Sequence, residues 1–143
     1  MKKLLSIDQT IANRDTAILL LRITIGALML SHGIPKLMSL FSENIQFPSI
    51  FGLGAELSLA LAVFAEVICS LLIMLGIGTR LATIPLITTM LVAVFHVHAN
   101  DPFAKQEIGV LYLLPYVILF IAGSGKYSID YFLQKKSAPS LAQ

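Results

Sequence analysis

The stretch TAILLLRITIGALMLSHGIP, residues 16–35, decides the fold. It carries one full charge, Arg22, in twenty residues, and at about 1.5 Å per residue it reaches roughly 30 Å, the thickness of a hydrocarbon core. The run is continuous and rich in Leu, Ile and Ala. It lacks the alternation of a membrane β-strand, so it reads as a transmembrane helix.

Three more segments share this character, at about residues 55–77, 80–99 and 102–122. The chain has 143 residues, 57% hydrophobic and 13% charged, with a mean hydropathy of +0.85. Soluble domains carry roughly a quarter charged residues, so this composition expects lipid as its solvent. Residues 1–143 read as a single domain, all-α, an integral membrane four-helix bundle. No internal repeat is visible.

Punctuation supports four helices. Gly76-Ile77-Gly78-Thr79 predicts a tight reversal, and Asn100-Asp101-Pro102 a stop followed by an N-cap with proline at the first helical position. Helices two and three, and three and four, are then antiparallel neighbours. The longest connection, Lys36 to Gly54, contains Phe41, Phe47, Pro48 and Phe51 and reads as an amphipathic cover along the membrane surface. Pro115 predicts a kink in the fourth helix. Residues 123–143 read as an interfacial segment and tail: Tyr127, Tyr131 and Phe132 suit an aromatic belt on a short helix, and the chain after Lys135 reads as disordered.

Orientation follows from the basic residues outside the spans. Lys2, Lys3, Arg14, Arg80, Lys126, Lys135 and Lys136 fall on one side, Lys36 and Lys105 on the other, which makes the first side cytoplasmic. Both termini are expected in the cytoplasm, with the protein multi-pass in a bacterial-type inner (plasma) membrane. MKKLLSIDQT has a signal peptide's lysines, but Asp8 and Gln9 interrupt its apolar stretch, so it reads as a retained tail. The net charge of +2 is too balanced to suggest nucleic-acid binding, and Cys69, the lone cysteine, excludes disulfides, CxxC redox chemistry and thiolate metal sites.

Charges inside the spans need partners, at about 2.5–3.5 kcal/mol each near the bilayer centre. Arg22 and Glu66 lie on neighbouring helices within reach of an extended arginine, so they are expected to form an intramembrane ion pair. Gly26 and Gly33 share Arg22's face and permit close helix contact. Such a pair serves equally as a structural lock or as part of a site.

A second cluster gathers at the outer ends of the spans. His32, Lys36, Glu56, His96 and Glu107 reach one membrane depth because the helices alternate in direction, and they are the candidates for a ligand pocket. At 100° per residue His96 points inward and His98 outward. Histidine, carboxylate and lysine half-withdrawn from water suit proton-coupled chemistry or a small polar ligand. The same residues also fit ordinary helix ends at a membrane surface. Tyr112 and Tyr116, one turn apart, read as packing residues. With no HxxxH spacing, neither haem nor metal is expected.

Taken together, LLRITIGALMLSHGIPKL, AEVICSLLIMLGIGTRLA, the histidine-ended third span and GSGKYSID resemble the DoxX family of small membrane proteins. The matching patterns are Arg22, Gly26, Gly33 and Lys36; then Glu66, Gly76, Gly78, Thr79 and Arg80; then Gly123, Gly125, Ser128 and Asp130. The resemblance implies a four-span bundle serving as small membrane subunit or anchor of an oxidoreductase system. Its members are linked to thiosulfate:quinone or quinol oxidation, or to oxidative stress and thiol balance. A quinone is then the candidate cofactor, none being intrinsic, and a soluble or membrane oxidoreductase the candidate partner besides the lipid bilayer. The resemblance supplies no catalytic residues and leaves open whether the chain is an enzyme. The competing class is a non-enzymatic scaffold or assembly partner, followed by a small-molecule transporter, which would ordinarily show paired repeats.

Overall fold

The computed structural model describes residues 11–137. Readings that concern residues 1–10, Lys2 and Lys3 among them, and residues 138–143 lie outside the described part.

Helix α1 runs Ile11–Leu40, α2 Ala55–Leu75, α3 Thr79–Val97, α4 Phe103–Ala122 and α5 Ile129–Ser137. The first four are long and apolar enough to cross a membrane, and among the described residues no strand occurs. They form an antiparallel bundle in which α1 packs along α2, α3 along α4, and α2 meets α3 and α1 meets α4. The first span continues through Pro35 to Leu40, about a turn beyond its expected end. The C-terminal segment is also more ordered than expected, because α5 carries Lys136 and Ser137.

Burial is inverted relative to a water-soluble protein. Leu81, Phe95 and Ile121 are exposed, whereas Arg22, Glu66, Ser70, Thr79 and Thr83 are almost completely covered. Lipid solvates the apolar outside, and the polar groups turn inward because hydrocarbon offers them no hydrogen bonds. Small residues allow the close approach this requires. A Cβ at Gly33 would lie 2.8 Å from Val67 Cγ2 and 3.0 Å from the Glu66 backbone carbon, so only glycine lets α1 lie this close to α2.

The α2–α3 reversal closes as a Schellman motif: Ile77 N–H donates to Leu72 O at 2.9 Å and Gly76 takes the left-handed conformation at φ 72°. The second reversal differs from expectation. Pro102 is the N-cap of α4 rather than its first residue, and Asp101 makes no cap bond. The Asp101 carboxylate turns instead to His98 at 2.7 Å, and Gln106 Nε2 donates to the His98 and Asp101 carbonyls.

Two π-helical segments interrupt the α-helices, Phe64–Cys69 in α2 and Ala93–Val97 at the end of α3. The second closes with His98 N–H donating to Ala93 O, five residues back. Each wide turn accommodates an extra residue and rotates the side chains beyond it about the helix axis.

Candidate functional site

Arg22 and Glu66 do not pair. The Arg22 guanidinium donates to four backbone carbonyls: Ile73 and Met74 at the C-terminus of α2, and Ser124 and Tyr127 in the connection after α4. A helix C-terminus presents unsatisfied carbonyls and partial negative charge, which suits a cation. Gly76 leaves room, since a Cβ there would press on the guanidinium and on Ser128. Asp130 completes this end by accepting from Gly78 N–H at 2.9 Å. Arg22 of the first pattern, Gly76 of the second and Ser128 and Asp130 of the last thus meet in one knot that ties α1, α2 and α5 together.

Glu66 pairs with Lys36, Nζ to Oε1 at 2.5 Å. It stands with Lys36 and not with Arg22, because Gly33, one turn before Lys36, rests directly against it. The carboxylate is 2% exposed, and its second oxygen, Oε2, has no hydrogen-bond partner among the described residues. A buried carboxylate oxygen left open costs free energy unless a donor arrives.

Lys36, Glu66, Ala93 and His98 form a shared wall between two cavities. The smaller, about 240 Å³, is polar at one end and holds His32, Lys105 and Tyr112. The larger, about 430 Å³, is mainly apolar and lies under the α1–α2 connection, whose Phe47, Pro48, Ile50, Phe51 and Leu53 roof it over α2 and α3. That roof is held locally: Ser58 Oγ donates to Gly54 O and accepts from Ile50 N–H, and Phe51 sits at φ 50°. The connection expected as a surface cover therefore covers a cavity. Phe47 and Ile45 pack inward, while Phe41 stays exposed.

The five residues expected to line a pocket divide. His32 and Lys36 line the cavities, with the His32 ring edge-on to Tyr112 at 5.6 Å between centroids. Glu56 and Glu107 are exposed; Glu56 lines a separate surface hollow with Leu40, and Glu107 lines neither of the two cavities. His96, in α3, and His98, just past its end, exchange roles. His98 lines both cavities and His96 is exposed, its ring tilted against Phe51 at 4.7 Å between centroids. The π turn at Ala93–Val97 is the reason: 100° per residue no longer gives the phase past Ala93. Tyr112, expected only to pack, lines the smaller cavity, whereas Tyr116 is fully buried in the core.

His98 is oriented by Asp101, which also lies 3.5 Å from Lys105. The hydrogen bond from His98 is the largest influence holding the Asp101 carboxyl below its ordinary range, and Lys105 adds to it. The wall between the cavities therefore carries a buried acid with one free oxygen, an ammonium, and an imidazole held by a carboxylate.

A family model described as DoxX matches residues 17–99, more than half of the chain, and that stretch contains Lys36, Glu66 and His98. No curated protein and no solved structure matches.

Proposed function

The chain belongs to the DoxX family of integral membrane proteins, and from that premise we propose that it is the membrane component of a quinone-linked oxidoreductase system, holding a quinol-type amphiphile in the larger cavity. The observation that carries this reading is Glu66 Oε2, a buried carboxylate oxygen without a donor among the described residues, on a side chain that lines both cavities. A quinol hydroxyl supplies a donor. Lys36 offers a cation to the opposite redox form, whose carbonyl accepts.

The division of surface fits such a molecule. Phe47, Ile50, Phe51, Leu53 and Leu61 cover an apolar ring or tail, and Thr88, Thr89, Lys36, Glu66 and His98 meet its polar end. Cavities of about 300–1,000 Å³ with few polar groups are the usual form of small-molecule sites. Two-electron oxidation of a quinol releases two protons with its electrons. Glu66 and His98 line the cavity as proton acceptors, His32, Lys105 and Asp101 lead from them toward the surface, and the electrons pass to the partner oxidoreductase. In this reading the protein resides in the plasma membrane with both termini in the cytoplasm, which places the cavity in the outer half of the bilayer.

The test is direct binding. Protein purified in mild detergent should bind a short-chain benzoquinol, and Glu66→Gln should weaken binding about tenfold, because a charge-assisted hydrogen bond contributes about 1.5 kcal/mol. A well-folded protein with no measurable affinity for quinol or quinone would leave the scaffold role in its place.

A further inference from the structure

The opposite end of the bundle carries a second polar cavity, about 430 Å³, between the start of α1, the N-terminus of α3, and the glycine-rich connection into α5. Arg14, Arg80 and Lys126 stand around it, all exposed. Two acids also line it; Asp130 is engaged, and Asp15 is bonded through Oδ1 while its Oδ2 has no hydrogen-bond partner among the described residues. Asp130 accepts from Gly78 N–H, and Asp15, buried at 3% exposure, accepts from Lys126 N–H with the Lys126 ammonium 3.8 Å away. Arg80 donates to Ile121 O at 3.1 Å, which fixes its direction without neutralising its charge. Among the described residues Arg14 has no partner.

Thr79 adds an independent observation. It is the first residue of α3, lines this cavity, is 1% exposed, and its hydroxyl has no hydrogen-bond partner among the described residues. At the α3 N-terminus beside it Asp130 accepts from Gly78 N–H, while the next amides, those of Thr79, Arg80 and Leu81, have no side-chain cap and belong to residues that line the same cavity. An unpartnered hydroxyl, the first-turn amides of a helix and two exposed guanidinium groups are jointly complementary to a tetrahedral anion.

We propose that this cavity binds a phosphate group, carried by an anionic lipid headgroup or free in solution, with Thr79 and the α3 amides donating at its base and Arg14 and Arg80 closing over it. The adjoining helix α5 suits a lipid as the source. Tyr131, Phe132 and Leu133 are exposed beside Lys135 and Lys136, so α5 can rest on acyl chains with its basic end at the headgroups. The site is independent of the quinol reading, since it shares no residue with the outer cavities.

The experiment uses the full chain in detergent and measures binding of short-chain phosphatidylglycerol, phosphatidylcholine and inorganic phosphate by calorimetry. Phosphatidylglycerol should bind more tightly than phosphatidylcholine, and Arg14→Gln or Thr79→Val should each weaken it about tenfold with little change in melting temperature. Arg80→Gln should weaken it similarly, and Lys105→Gln at the far end should not. Phosphate that competes with the lipid, or binds alone and is lost in the same variants, supports the site and identifies the free anion as a source. Equal affinity for the two lipids together with no binding of phosphate would overturn the proposal. So would a preference erased by Lys135→Gln and Lys136→Gln but untouched by Arg14→Gln and Thr79→Val, since it would then be surface attraction alone.

Discussion

Lys36 Nζ and Glu66 Oε1 meet 2.5 Å apart across the α1–α2 interface, with the Glu66 side chain 2% exposed and that of Lys36 34% exposed. The pair is unequal. Removing Lys36 strands a carboxylate in a covered position, whereas removing Glu66 leaves a cation that reaches solvent along its own stem. Lys36→Met should therefore cost more than Glu66→Gln, up to about 3 kcal/mol, and the double variant should lose less than the sum. Arg22→Gln combined with Glu66→Gln should be additive. Unfolding of these variants in mild detergent decides it: coupling of Glu66 to Arg22 and none to Lys36 would contradict the geometry.

The spans were legible because twenty apolar residues have few alternatives in lipid, and the Gly76–Gly78 reversal because left-handed backbone favours glycine. The partner of Arg22 was not. Its acceptors are main-chain carbonyls of Ile73, Met74, Ser124 and Tyr127, and a carbonyl leaves no mark on residue type. Lys36 was legible as a pocket residue but not as Glu66's partner, because the Gly33–Glu66 contact sets the register of α1 on α2 and reach along an arginine stem does not. The inversion of His96 and His98 has a different origin. A π turn is defined by hydrogen bonds five residues apart, and the sequence AVFHV carries no signature of it. The polar cavity at the other end leaves no local mark in the sequence, since it joins Asp15 to Lys126, 111 positions away.

Glycine substitutions should separate backbone contact from side-chain contact. At Gly33 a new Cβ meets the backbone of Glu66 and the branched Val67, neither of which can yield cheaply. At Gly26 its nearest neighbour is the flexible side chain of Met74. Gly33→Ala should destabilise by about 1–3 kcal/mol and loosen the Lys36–Glu66 pair, and Gly26→Ala by distinctly less. Equal losses in denaturation would mean that α1 and α2 are further apart than described.

Orientation has its own test in a Cys69→Ala background. Ser42 lies in the α1–α2 connection and Lys105 in the first turn of α4, so both sit at the end that holds the paired cavities. A cysteine at either position should react with an impermeant maleimide added to intact cells, and one at Ser137 should be protected until the membrane is opened. The reverse pattern would place the Lys36–Glu66 wall on the cytoplasmic side and the phosphate cavity outside.

His98 should matter more than His96. His98 lines both cavities and is held by Asp101, whereas His96 lies outside them against Phe51. His98→Ala should weaken short-chain quinol binding about tenfold, the loss of one hydrogen bond to the ligand, and His96→Ala should leave it nearly unchanged. Asp101→Asn tests the orientation of the ring, and its effect on stability has a defined sign. The Asp101 carboxyl is held below its ordinary range, first by the hydrogen bond from His98 and then by Lys105. A depressed carboxyl stabilises the fold fully above the unfolded value of about 3.9, and that contribution disappears as pH falls through the folded value. The melting temperature of the unaltered protein should therefore exceed that of Asp101→Asn near neutrality, and the two should converge on acidification below about pH 4. A gap that widens toward acid would show that the carboxylate is not stabilised by its imidazole and lysine neighbours. The case for an oriented proton acceptor at His98 would then fall with it.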